Sequence, residues 1–328
     1  MPDSVMKARL LGFGKARIDP SITDLHMMTT ATAGPGAGGT SVFVRWGEQR
    51  VRLSVDDNSP LSIVPDGDGI AVMHGDEMLL HGELEEPLCH CPGQAYITLS
   101  ERCVMNCLFC PVPKINGGVK DIGTVMDIVG DAWSTGKLRA VSLTSGIEES
   151  AEKEVKRAAN VAKAILSEYD LPVGVSVYPT ATSSEELYAA GASEVKYNIE
   201  TPNQVLFRRI CPEMDLRDII NSLGDAVRIF GRNYVTSNII LGLGESDDDV
   251  RRGIYVLAGM GVIPVLRPVS PHPLRRNEIA VKRPGAERLI RLGRIERMAL
   301  LRNGLRTDLA RTMCLPCTGC DLTPFKDI

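Results

Sequence analysis

The sequence predicts an α/β protein: a partial (β/α)6 TIM-like barrel with a small N-terminal β-rich module and a C-terminal cysteine-rich extension. Three observations carry this reading. From about residue 95, six short apolar runs alternate with helical stretches, the pattern of parallel strands joined by crossover helices. Before them, residues 40–84 alternate apolar and polar side chains around Gly-containing turns, as hairpins do. After them, "RTMCLPCTGCDLTPF" carries three cysteines close to the C-terminus. The expected divisions are 1–88 for the β-rich module, 89–275 for the barrel and 276–328 for the extension.

Bulk composition narrows the classes. A chain of 328 residues, 44% hydrophobic and 24% charged, can bury a substantial core. A net charge of -4 argues against a nucleic-acid or membrane-surface protein, and no apolar run approaches the roughly 20 residues of a membrane span. The start, "MPDSVMKARLLGFGKARID", lacks the sustained apolar stretch of a secretory signal, so a cytoplasmic protein is expected.

The elements follow in order. "TSVFVRWGEQRVRLSV" and "GIAVMHGDEMLLHGEL" each read as two strands about a turn. "TTATAGPGAGGT", residues 29–40, has the composition of a mobile loop; a phosphate cradle would need a helix directly after its glycines, and a strand follows instead. The barrel strands are expected at 95–99, 140–144, 173–177, 195–197, 236–241 and 262–267. "AEKEVKRAANVAKAILSEY", "SEELYAAG", "LRDIINSLGDAVRIFG" and "ESDDDVRRGIYVLAGMG" supply the helices between them. Whether such units form an incomplete barrel or a doubly wound sheet, functional residues belong at the C-terminal ends of the strands.

Nine cysteines punctuate this frame, and eight of them fall into three tight groups: Cys89 and Cys91; Cys103, Cys107 and Cys110; Cys314, Cys317 and Cys320. Clustered cysteines in a chain of this kind point to metal rather than to disulfides. Cys211 stands alone and reads as a structural thiol. The middle group, in "SERCVMNCLFCPVP", begins just past the first barrel strand and has three ligands where zinc sites and ferredoxin clusters use four. Either a zinc knuckle borrows Cys89 or Cys91, or one corner of a cluster is left open.

"CVMNCLFC" resembles the signature of the radical S-adenosylmethionine (SAM) enzymes, with Phe109 as the aromatic residue before the last cysteine. The resemblance implies a 4Fe–4S cluster on Cys103, Cys107 and Cys110. In the family, SAM chelates the open iron and is split to methionine and a 5′-deoxyadenosyl radical. Further segments fit, covering about residues 95–275 in order. "AVSLTSG" implies that Thr144, Ser145 and Gly146 meet SAM's amino group. "KYNIETPNQVLFRRICP" is similar to the lipoyl synthase and biotin synthase branch and implies Asn198, Glu200, Arg208 and Arg209 as SAM-holding residues. "SNIILGLGE" and "VIPVLRPVSPHP" imply Gly242 and Leu266 along adenine and ribose. On chemistry alone, Glu200 and Asn198 can serve ribose hydroxyls or cap a turn, and each Arg can fork a carboxylate or lie on a solvated helix face.

The C-terminal triplet can wrap a second 4Fe–4S cluster, with Cys89 or Cys91 as its fourth ligand and His90 a further candidate; structural zinc is the alternative. With the lipoyl-synthase-like segments, a second cluster implies sulfur insertion into an acyl chain. The N-terminal cysteine run and C-terminal serine motif of bacterial lipoyl synthases are absent here, so the archaeal two-protein type is the nearer resemblance. It implies a second radical SAM protein as partner, beside a ferredoxin- or flavodoxin-like reductant and an acyl carrier or lipoyl domain. Residues 275–311 hold eleven Lys or Arg against four Glu or Asp, a stripe that reads as a solvated helix face or a dock for an acidic carrier. The other classes left open are a mutase, a lyase, a methyl transfer, or a non-enzymatic iron–sulfur electron carrier.

Overall fold

Period-two alternation with a Gly47-containing turn folds β3 (Thr40–Trp46) onto β4 (Gln49–Val55), and β6 (Gly69–His74) pairs with β7 (Glu77–Glu85) in the same way. The coordinates, a computed structural model, describe residues 3–22, 28–29 and 39–328. The expected mobile loop at 29–40 therefore lies outside the described residues, apart from its ends. A short β1 (Lys15–Ile18) runs parallel to both β4 and β5 (Leu61–Asp66), while β2 (Met28–Thr29) pairs with β3. Because β7 also pairs back onto β3, strands β3-β4-β1-β5-β6-β7 form a closed ring. Closure removes the unpaired edges that an open sheet would present. Val42, Val44, Val51, Leu53, Leu61, Ile63 and Val72 are buried, whereas the alternate residues of β3 and β4, among them Phe43, Arg50 and Arg52, face the rest of the chain.

Helix α1 (Asp3–Phe13) precedes this ring and has no clear counterpart in the hydropathy pattern. The reason is Lys7, which is fully buried yet polar. Its Nζ donates to Asp327 Oδ2 and to the Thr318 carbonyl, both at 2.6 Å. Burying an amine is tolerable only with such partners.

The second sheet has the order β14-β13-β12-β11-β10-β9-β8. It comprises β8 (His90–Cys91), β9 (Gln94–Thr98), β10 (Ala140–Thr144), β11 (Val173–Ser176), β12 (Glu194–Lys196), β13 (Val235–Leu241) and β14 (Ile263–Pro268). Strands β9 to β14 are parallel neighbours, each close to its expected position, and only β8 is antiparallel. Crossovers include α2 (Ile122–Ser134), α3 (Ala151–Glu168), α4 (Ser183–Ala189), α5 (Gln204–Ile210), α6 (Leu216–Phe230) and α7 (Asp247–Met260). The curled sheet is a partial barrel, as expected for six βα units.

The extension folds back into this barrel. After α8 (Ala286–Arg302), residues 311–313 enter at the N-terminal ends of the strands. Glu194 accepts from the Arg311 and Thr312 amides and from the Thr312 hydroxyl. Gln94 and Ser142 accept from the Met313 amide at 2.9 and 2.8 Å. A side chain at Gly174 would collide with Thr312. One apolar core consequently runs from Met6 to Leu322.

Candidate active site

A cavity of about 1220 Å³, its open mouth included, occupies the C-terminal end of the barrel strands. Cys103, Cys107, Cys110 and Phe109 line it. Their loop is pinned from several sides. The Val104 amide donates to the Ile147 carbonyl (2.7 Å) and the Leu108 amide to that of Ile210 (2.8 Å), while Arg275 Nε donates to the Cys110 carbonyl (2.7 Å). Cys107 Sγ lies 3.3 Å from Met214 Sδ. Cys211 sits behind Cys107, fully buried and outside the cavity lining, consistent with a structural thiol; the Cys107 thiol and then burial push its pKa up.

Thr144, Ser145 and Gly146 also line the cavity. The Ser145 hydroxyl is already engaged, donating to Glu154 Oε2 at 2.7 Å and accepting from the Ser100 amide at 3.1 Å. Gly146 lies against the Arg102 carbonyl, where a Cβ would collide, so the glycine lets the β10 end touch the cysteine loop.

Asn198, Glu200 and Asn238 form the polar wall. Asn198 Oδ1 accepts from the Asn238 amide at 3.2 Å. Glu200 adopts a left-handed φ of 55°, uncommon outside glycine and typical of constrained sites. Its buried Oε2 and the buried Asn238 Oδ1 have no protein hydrogen-bond partner. Burial raises the Glu200 carboxyl to about 7, against the opposing pull of Lys196 and the Asn198 hydrogen bond. Orphaned buried acceptors are costly, and facing a cavity they suit a ligand rich in hydroxyl and ammonium donors, as SAM is. With three cysteines at the rim of the same space, the residues fit a cluster with chelated SAM.

Four expected site residues are not brought to the cavity lining. Arg208 and Arg209 lie exposed on α5, where the chain's short helix turns its apolar side inward. Gly242 is buried under the Lys282 carbonyl, so its missing side chain serves packing there. Leu266 is buried in the core, and the pleat of β14 presents its neighbour Arg267 to the cavity instead.

The cavity floor is built from residues that the sequence does not single out together. Tyr96, Lys196 and Arg267 converge there on Cys314. Arg267 Nη1 donates to Cys314 Sγ at 3.1 Å, and Lys196 Nζ donates to Cys314 Sγ at 3.5 Å and to the Tyr96 hydroxyl at 3.1 Å. Burial disfavours both cations, but the sulfurs of Cys314 and, for Arg267, of Cys320 outweigh it, and both pKa values are raised. A signal existed in "KYNIE", where Lys196, Asn198 and Glu200 alternate with buried Tyr197 and Ile199 and so share one face.

The other cysteines gather beside this floor. Cys317 contacts Cys91 and Phe43, and Arg52 Nη1 lies 3.8 Å from Cys320 Sγ. The neighbouring Cys91 thiol lowers the Cys317 thiol from its ordinary value, against burial, and Cys91 itself is raised. Among the described residues, no three His, Cys, Asp or Glu side chains converge on a single-ion site. In a four-iron cluster each thiolate meets a different iron, so wider spacing suits it. Buried Lys196, with half-buried Arg267 and Arg52, calls for a matching anion, a charge that a thiolate-bound cluster would carry.

Residues 97–253 match the family model of the radical SAM superfamily. No curated protein sequence matches. Among solved structures, the FeFe-hydrogenase maturase HydG from Carboxydothermus hydrogenoformans is 18% identical, with a TM-score of 0.54 over 64% of this chain and 52% of that one. Methylornithine synthase (PylB) is 16% identical, TM-score 0.51, over 65% and 69%. A radical SAM methyltransferase from Sphaerobacter thermophilus is 16% identical, TM-score 0.51, over 76% of each chain. The chain thus spans about half the length of HydG, and at these identities the likeness concerns the fold. The family model spans residues 97–253, and that family implies a 4Fe–4S cluster and SAM; the varied neighbours leave the lipoyl synthase branch resting on the sequence resemblance.

Proposed function

Taking residues 97–253 as a radical SAM domain, we propose that the protein inserts sulfur into an acyl chain, with a second 4Fe–4S cluster on Cys314, Cys317 and Cys320 as the sulfur source. One observation carries the reading: Cys314 lines the same cavity as Cys103, Cys107 and Cys110. A substrate carbon in that space is within reach of both cysteine sets. When bound, the first cluster with SAM supplies a 5′-deoxyadenosyl radical that removes hydrogen from an unactivated carbon. Asn198, Glu200 and Asn238 hold the nucleoside through their cavity-facing acceptors, and Met105, Val112, Ile147 and Val177 give the acyl chain an apolar path. Tyr96, Lys196 and Arg267 keep the Cys314 corner in place.

The partners follow from the same reading: a ferredoxin- or flavodoxin-like reductant, an octanoylated carrier and a second radical SAM protein. The basic face of α8 is the proposed carrier dock, reduced in charge because Asp247 already engages Arg288 and Arg291. No described helix is long and apolar enough to cross a membrane. The test is anaerobic incubation with SAM, dithionite and an octanoylated carrier, with and without the second protein. Thiolated carrier with 5′-deoxyadenosine is expected. Deuterium reaching 5′-deoxyadenosine without sulfur in the product would turn the assignment to a mutase, lyase or methyl transfer. A reduced-cluster paramagnetic resonance spectrum indifferent to SAM would reduce the protein to an electron carrier.

A further inference from the structure

We infer that Cys91, not Cys89, completes the second cysteine set, so that Cys91, Cys314, Cys317 and Cys320 form a closed four-thiolate site assembled from the barrel sheet's first strand and the C-terminal extension. This rests on the proposal that the C-terminal triplet holds a cluster. In an ordinary strand, Cys89 and Cys91 would share one face. Between them His90 takes a φ of 73°, which breaks the alternation and sends the two thiols different ways. Cys89 Sγ turns to the Tyr96 carbonyl at 3.6 Å. Cys91 is fully buried against Cys317 and Phe43, within electrostatic reach of Cys314 and Cys320 as well.

The ring of strands and α1 supply the clamp. The Arg52 amide donates to the Gly319 carbonyl at 2.7 Å, Arg50 Nη1 to the Cys317 carbonyl at 3.0 Å, and Lys7 to the Thr318 carbonyl. Gly319 lies so close to the Phe43 ring that a side chain there would push into it. Two more non-glycine residues have positive φ here, Met313 at 62° just before Cys314 and Thr318 at 56° just after Cys317. Each such residue costs on the order of 1–3 kcal/mol and persists only where its surroundings enforce it. Strain beside three of the four sulfurs, each fixed by contacts over 200 residues away in sequence, marks a built site rather than a loose tail.

The experiment compares reconstituted wild type with Cys91→Ala, Cys91→Ser and Cys89→Ala. Iron per chain and the oxidised and reduced paramagnetic resonance spectra are read, and the SAM-induced change of the first cluster reports an intact fold. Wild type and Cys89→Ala are expected to hold about eight irons, from two four-iron clusters. Cys91→Ala should lose at least one iron and show a three-iron signal on oxidation. Cys91→Ser should keep the iron with a shifted second-cluster spectrum. Cys91→Ala retaining eight irons and an unchanged spectrum would overturn the assignment, as would loss confined to Cys89→Ala. About four irons in wild type, still SAM-responsive, would instead sink the second cluster itself.

Discussion

The loop of Cys103, Cys107 and Cys110 and the segment of Cys314, Cys317 and Cys320 hold the same number of thiols but are built in opposite ways. The first follows the end of one strand, and its three sulfurs come from eight consecutive residues at the cavity rim. The second depends on residues from α1, β4, β8, β12 and β14, with cations packed against its sulfurs. A site made of neighbouring residues survives as long as its strand does. One assembled across the chain has only the cooperativity of the whole fold to hold it.

Replacing Cys103, Cys107 and Cys110 together by Ala gives the largest effect: 5′-deoxyadenosine formation should vanish and iron fall from about eight to about four per chain. Survival of SAM cleavage would break the division between the sets. Next is Glu194→Ala, which strips partners from the Arg311 and Thr312 amides inside the barrel. A loss of about 3 kcal/mol is expected in denaturant unfolding, with the C-terminal cysteines becoming reactive to thiol reagents before the first set. Equal reactivity of both sets would show that the second is no more dependent on the fold than the first.

Glu200→Gln should weaken SAM binding about tenfold, or about 1.4 kcal/mol, measured by equilibrium dialysis. With its carboxyl at about 7 in the folded protein, wild-type affinity should rise as pH increases through 7, and the Gln variant should be flat. Stability moves the other way. A carboxyl raised from 4.5 to about 7 contributes stability that is present at low pH and lost as pH climbs across that window. Smallest is the Arg208→Ala, Arg209→Ala double variant, exposed on α5, for which less than about a twofold change in SAM affinity is expected. A larger loss would restore these residues to the site.

Local patterns were readable where local physics decides. Strands β9 to β14 and the cysteine triplet follow from period-two alternation, turn residues and short spacings, whereas Phe109 and the Asn198–Glu200 wall come from the family resemblance. Helix α1 escaped because Lys7 interrupts its apolar side, and its partner Asp327 is 320 residues away. The family resemblance points to Leu266, but the pleat of β14 turns Arg267 to the cavity, where the half-buried Cys314 sulfur accepts from its guanidinium.

By itself the chain determined the partial barrel and its three-cysteine rim, because strand period, helix period and a contiguous ligand triplet are properties of neighbouring residues. Only the tertiary structure decided that the tail threads the barrel from below and sets Cys314 on the floor of the same cavity. It also decided that Cys91 rather than Cys89 turns toward the tail. Those choices depend on desolvating charges and pairing them across hundreds of residues, and such energies exist only once the distant segments have met.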